Sequence, residues 1–208
     1  MNGKAMKICV IKLGADGDVL RTLPLAKALK QKWKDAEITW ITRGDISSLF
    51  NNVLYIKKVV TIPYSTKEVF DALYNFDTEP AALNLAGEIN ADKKYGFYNG
   101  DGYPAAFSMG AEYYLNTMFD DSLKKENTKT YQEMMFMAAE LPYKKEKYEL
   151  VLKNEDIEYA SAFVKKHMIK TEKLVGIHMG AGSRWPSKAW HEDRVKEFII
   201  KAKKKPVI

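Results

Sequence analysis

The chain has 208 residues, of which 46% are hydrophobic, 12% aromatic and 29% charged; this supports a sizeable core and excludes both a mini-protein scaffold and a disordered chain. Its net charge of +6, from 33 Lys and Arg against 27 Asp and Glu, favours anionic partners, from nucleotides and phosphorylated sugars to lipid head groups, without choosing among them. Cys9 is the single cysteine, so no internal disulfide is possible; no apolar run approaches a membrane span and no signal peptide precedes the first strand, so a cytoplasmic protein is expected.

The chain opens with a strand, a glycine turn and a helix. Lys7 to Lys12 is a short apolar, β-branched run, Gly14 to Asp18 a tight turn, and Val19, Leu23, Ala26, Leu29 and Trp33 recur at helical spacing. Pro24 has no N–H to offer Leu20, which predicts a loose turn over 18–22 and a kink before the regular helix. Glu37 to Thr42 reads as the next strand, completing a right-handed βαβ unit with parallel strands. Strands are then expected at 59–62, 73–76 and 93–97, and helices at 67–72 and 80–88. This alternation predicts an α/β fold, a doubly wound, mainly parallel sheet of six or seven strands covered on both faces, with Cys9, Val10 and Ile11 at its centre.

From Asn99 to Asn127 the periodicity lapses in a stretch rich in Gly, Tyr, Met and Asn, which reads as irregular. Helices are expected again at 130–141 and 156–168. At Lys173 the opening pattern restarts: a strand over 174–179, the glycine turn "GAGSRWPSK", a helix over 190–204, and Pro206 to Ile208 as the start of another strand. The expected organisation is a first α/β domain over 1–168 and the beginning of a second over 172–208, a fragment too short to fold alone.

Ligands of open parallel sheets bind outside the carboxyl ends of the strands, and both glycine turns fall there, implying a cleft between two domains. Neither turn is a dinucleotide fingerprint or a phosphate loop. In the first, Asp18 stands at a helix start, where it serves either as N-cap, in competition with Asp16, or as a general base towards an acceptor hydroxyl. In the second, Gly180, Ala181, Gly182 and Ser183 leave backbone N–H groups open to a diphosphate, and Lys188 adds a mobile positive charge. Trp185 and Trp190 flank Lys188 and are expected to pack, and His178 is expected in a neutral, hydrogen-bonded packing role. His167, His178 and His191 lack the spacing of metal ligands, so no metal is expected.

The segments "IKLGADGDVLRTLPLAKALKQKWKDAEITWIT" and "VGIHMGAGSRWPSKAWHEDRVKEFI" resemble glycosyltransferase family 9, the ADP-heptose:lipopolysaccharide heptosyltransferases and their relatives; "FDALYNF", "KKYGF" and "TYQEMMFMAAEL" match as well. The resemblance implies a GT-B type fold of two Rossmann-like domains, acceptor-binding at the N-terminus and sugar-nucleotide-binding at the C-terminus. It also implies inverting, metal-independent transfer of a heptose from ADP-heptose to a lipopolysaccharide-core or related glycan, with no cofactor. Asp18 then corresponds to the proposed base and Lys188 to the contact on the donor phosphates, with Gly17 and Arg21 as acceptor-binding candidates. The implied partners are a sugar nucleotide and a glycolipid or glycan, not nucleic acid, at the cytoplasmic face of the inner membrane. Two other readings stand beside this one: a non-catalytic fragment binding a polyanionic glycolipid, and a nicotinamide-dependent oxidoreductase. The second is disfavoured because the first turn lacks a third glycine and no acidic residue ends the second strand at Thr42.

Overall fold

A computed structural model describes residues 5–148, 150–169, 175–180, 182 and 186–204. The chain divides into two compact units, Met1–Lys153 and Asn154–Ile208. The first holds a six-stranded sheet of β1 (Lys7–Ile11), β2 (Glu37–Thr42), β3 (Lys58–Thr61), β4 (Phe70–Asn75), β5 (Ala91–Gly100) and β6 (Tyr103–Ala106), in the spatial order β3-β2-β1-β4-β5-β6. Every pairing is parallel except the terminal β5–β6 hairpin. The expected α/β architecture and strand number are therefore borne out, with β1 at the centre and Cys9, Val10 and Ile11 fully buried.

The period-2 geometry of a strand sends successive β1 side chains to opposite faces. Ile8 and Val10 join a core built with α1 (Asp16–Lys32), α3 (Met109–Phe119) and α5 (Tyr131–Ala138). Cys9 and Ile11 join the other core, with Ala82, Leu85 and Ala86 of α2 (Pro80–Glu88). Both faces are thus covered, as a doubly wound sheet requires, and the central strands can be apolar on both sides.

Several local expectations are corrected. The first helix begins at Asp16, not after a loose turn at 18–22, and runs unbroken through Pro24 to Lys32. Leu23, Pro24, Leu25 and Ala26 are all buried, and that packing outweighs the one backbone bond Pro24 forfeits. Residues 67–72 do not form a helix: β4 starts at Phe70, because its place between β1 and β5 satisfies both backbone edges. Ala72, Tyr74 and Phe76 then face one core and Leu73 the other.

The stretch 99–127 is regular. β5 continues to Gly100, Asp101 and Gly102 both take positive φ (54° and 95°) as a two-residue hairpin turn demands, and β6 returns antiparallel. Ser108 then caps α3, accepting from Ala111 N–H at 3.4 Å, and Asp120 caps the short α4 (Asp121–Glu126).

In the second unit, α6 (Asn154–Lys166) and α7 (Glu192–Lys204) match the expected helices to within two residues: α6 begins and ends two residues earlier than expected, and α7 starts at Glu192 rather than Trp190. Residues 175–179 are not a strand, since nothing in their unit pairs with them among the described residues. Leu174 and the expected strand at 206–208 lie outside the described residues. The division of the chain falls before α6, so this helix groups with the second unit.

Candidate functional site

The carboxyl ends of β1 and β4 meet in a buried polar knot. Lys12 and Asp77, the first charged residues past the two strands, form an ion pair at 3.2 Å with side chains only 7% and 5% exposed. Asp77 Oδ2 accepts from the backbone N–H groups of Leu13 at 3.0 Å and Gly14 at 2.7 Å, and its Oδ1 accepts from Glu79 N–H at 3.1 Å. Lys12 Nζ also donates to Phe76 O at 3.0 Å. Asn75 completes the knot: its Nδ2 donates to Phe97 O at 2.8 Å and Asp77 O at 3.1 Å, and its Oδ1 accepts from Asp77 N–H at 3.0 Å. One carboxylate thereby ties the first glycine turn to the end of β4 and the start of α2.

Burial pushes the Asp77 carboxyl up, but Lys12 and the N–H groups of Glu79 and Gly14 outweigh it and hold the group below the ordinary aspartate range. Burial likewise presses the Lys12 ammonium down, while Tyr131, Asp77 and Asp18 raise it above its ordinary value. The pair is therefore ionised at neutral pH.

Asp18 lies in the first turn of α1, at the carboxyl edge of the sheet. The N-cap of that helix is Ala15, without a side-chain cap bond, so neither Asp18 nor Asp16 is the cap; both sit in the first turn, where the helix dipole favours anions. The Asp18 carboxylate is ion-paired with Arg21 one turn on, and both side chains remain partly exposed. Arg21 lies over the ring of Tyr131, 4.2 Å from guanidinium carbon to ring centroid, and Gln132 Nε2 donates to the Arg21 carbonyl at 3.4 Å. Tyr131 stands edge-on to Tyr114 at 6.0 Å, and burial, then Tyr131, pushes the Tyr114 hydroxyl up to about 12. Gly17 is exposed, and a Cβ there would meet nothing within 4 Å, leaving room for a ligand against the helix start.

The structure thus brings Gly17, Asp18 and Arg21 together. Gly180, Gly182 and Lys188 lie on the second unit, all exposed, with Gly182 at φ 66° and Lys188 ending a short 3-10 turn, Pro186–Lys188. Ala181, Ser183 and Trp185 lie outside the described residues. Trp190 N–H donates to Met179 O at 3.3 Å, and the Trp190 ring packs on Phe198 of α7 with centroids 5.5 Å apart. His178 is exposed rather than packed, because no strand forms there to bury it. Among the described residues no group of His, Cys, Asp and Glu could hold a metal ion. No helix of the described residues is long and apolar enough to cross a membrane.

Sequence reasoning missed Lys12, Asn75, Asp77 and Tyr131. The available signal was positional: a polar residue just past a strand buried on both faces must find a partner at the sheet edge.

The chain matches no protein-family profile. Over 105 residues, 43% of this chain and 29% of the relative, it is 29% identical to the lipopolysaccharide core heptosyltransferase OpsX of Haemophilus influenzae. The crystal structure of the glycosyl transferase family 9 protein from Veillonella parvula superposes with a TM-score of 0.69 at 18% identity, covering 95% of this chain and 60% of that one. ADP-heptose lps heptosyltransferase II of E. coli gives 0.57 at 17% identity, covering 94% and 62%. The chain has the fold of glycosyltransferase family 9. Its resemblance to that family is borne out by this GT-B fold and by the OpsX match, and it spans under two thirds of the length of these family members.

Proposed function

We propose that this chain supplies the acceptor half, and the opening of the donor half, of a family 9 glycosyltransferase that moves a heptose from ADP-heptose to a lipopolysaccharide-core glycan. In this reading residues 1–168 bind the acceptor and residues 172–208 begin the sugar-nucleotide domain. The observation that carries it is the setting of Asp18: a partly exposed carboxylate at the carboxyl edge of the sheet, relieved of the capping role by Ala15 and oriented by Arg21. Support comes from the names of the relatives and from the exposed Gly180, Gly182 and Lys188.

The chemistry is an inverting displacement. The acceptor hydroxyl loses its proton to Asp18 as its oxygen attacks the anomeric carbon from the face opposite the diphosphate, and the bond to the diphosphate oxygen breaks. Lys188 and the N–H groups of the second glycine turn stabilise the charge on the departing nucleoside diphosphate, so no divalent cation is needed. Arg21 and the open backbone at Gly17 meet the acceptor, and the protein works at the cytoplasmic face of the inner membrane.

The test is ADP release from ADP-heptose in the presence of a core-glycan acceptor, using the whole product of the gene. Asp18→Asn is expected to lower kcat by about 10²- to 10⁴-fold with donor affinity retained. Lys188→Ala weakens both donor binding and turnover, because it touches the diphosphate before and during bond breaking, and EDTA leaves the wild-type rate unchanged. Near-normal turnover of Asp18→Asn would remove Asp18 as the base.

A further inference from the structure

The ion pair between Asp18 and Arg21 does not by itself fix either group. Their side chains are 40% and 45% exposed, and a pair of that kind gains little, because ordering a long arginine offsets the Coulomb attraction. The other side of Arg21 is more constrained. Its guanidinium carbon lies 4.2 Å from the centroid of the Tyr131 ring, over the face that carries a ring's negative potential. Tyr131 opens α5 directly after the N-cap Thr130, whose side chain accepts from Glu133 N–H at 3.2 Å, and it stands edge-on to Tyr114 of α3. The next residue, Gln132, donates to the Arg21 carbonyl at 3.4 Å, so the first turn of α5 meets both the side chain and the main chain of Arg21. The Tyr131 hydroxyl is buried and makes no hydrogen bond among the described residues. What Tyr131 offers Arg21 is therefore the face of its ring.

We propose that Tyr131 is a positioning residue for Asp18, acting through Arg21: the ring holds the guanidinium, and the guanidinium holds the carboxylate at the helix start. This rests on the reading of Asp18 as base. Both links are direct contacts, Asp18 to Arg21 within one turn of α1 and Arg21 to Tyr131 between α1 and α5. A planar guanidinium suits the two at once, since its N–H fork meets a carboxylate in the plane while its flat face rests on the ring; a lysine would bring a point charge with no face to rest. A base confined in this way meets the acceptor hydroxyl in one arrangement instead of several, which is what catalytic positioning requires.

The experiment measures the χ1 rotamer of Asp18 by NMR in the 208-residue chain, through the three-bond couplings of its carboxyl carbon to the backbone nitrogen and carbonyl carbon. One rotamer is expected to dominate in the wild type. Tyr131→Leu should raise the population of the others about two- to fivefold, the factor that loss of a partly exposed cation–π contact carries. Arg21→Met should do at least as much, and Tyr131→Leu added to Arg21→Met nothing further, because the ring acts only through the cation. Tyr131→Phe, which keeps the ring, should leave the couplings at their wild-type values. A ring-fluorinated phenylalanine at position 131 keeps the shape but weakens the negative face, so it should reproduce the effect of Tyr131→Leu, and it decides the matter where Tyr131→Leu does not fold. A Tyr131 that only fills space would lower stability in Tyr131→Leu, leave the Asp18 rotamer unchanged and be indifferent to fluorination. The proposal is overturned if Asp18 is already averaged in the wild type or keeps its rotamer when the ring is removed or fluorinated. It is equally overturned if Tyr131→Leu disorders Asp18 further in the Arg21→Met background. The couplings involve no turnover, so their failure leaves the role of Asp18 to the kinetic test, and failure of that test leaves the measured restraint standing.

Discussion

Asp77 shows how one carboxylate can carry a local structure. It lies at the end of β4 and holds the turn after β1, 63 residues away in sequence, through Leu13 and Gly14 N–H. Its folded pKa lies below the unfolded value of about 3.9. The stability it contributes is therefore complete above that unfolded value and disappears as pH falls through the lower folded one. In a series of thermal melts from pH 2 to 6, the wild type should lose Tm on the acid side more steeply than Asp77→Asn. At pH 6 the variant should be less stable by about 3 to 5 kcal/mol, the usual cost of leaving a buried cation unpaired. The two curves should approach each other towards pH 2, and parallel curves would show that Asp77 is not ionised in the folded protein. Lys12 and Asp77 were individually plain in the sequence as charges flanking apolar runs. Their pairing was not, because it depends on which strands become neighbours.

At the scale of elements, the sequence was read correctly where a segment's periodicity and its tertiary role agree. The strand at Glu37–Thr42 and the helix at Pro80–Glu88, with proline at its first position, are cases of this. It was misread where pairing partners decide. Residues 67–72 carry a mixed polar and apolar pattern that fits a short helix, yet Phe70 to Asn75 become the strand between β1 and β5. The hairpin of β5 and β6 was hidden because Asp101 and Gly102, a strong turn signal, lie inside a stretch with little alternation. Two glycines separate close packing from functional openness. Gly96 has φ 86°, and a Cβ there would fall 1.8 Å from the Asn75 carbonyl oxygen across the β4–β5 ladder. Gly17 sits in a helix turn with nothing near its would-be Cβ. Gly96→Ala should therefore cost roughly 2 to 5 kcal/mol, from left-handed backbone strain plus overpacking. Gly17→Ala should gain about 0.5 to 1 kcal/mol from helix propensity. Chemical denaturation checks both, and a destabilised Gly17→Ala would show that the first turn of α1 is not formed as described.

The whole molecule is uneven in how much of itself it buries. Among the described residues, the buried members of both hydrophobic cores come from residues 8–141. In the second unit α7 carries Val195, Phe198, Ile199 and Ala202 on one face, but Val195, 5% exposed, is the only buried hydrophobic residue described there; Phe198 and Ile199 are each 38% exposed. The amphipathic pattern was legible in the sequence. The strand expected over 174–179 is not formed at 175–179, because a strand exists only through its neighbours and these residues have none among the described residues. Helices held by so little buried surface open with small free energies, whereas strands inside a two-sided core open only with the domain. Amide exchange should accordingly be slowest in β1 and β4, near the limit set by global unfolding. The amides of α6 and α7 should exchange at least about tenfold faster, which corresponds to some 1.4 kcal/mol less protection. Exchange in 154–204 as slow as in β1 would mean that these helices are held by a core of their own, and the reading of this unit as the unfinished opening of a domain would fall.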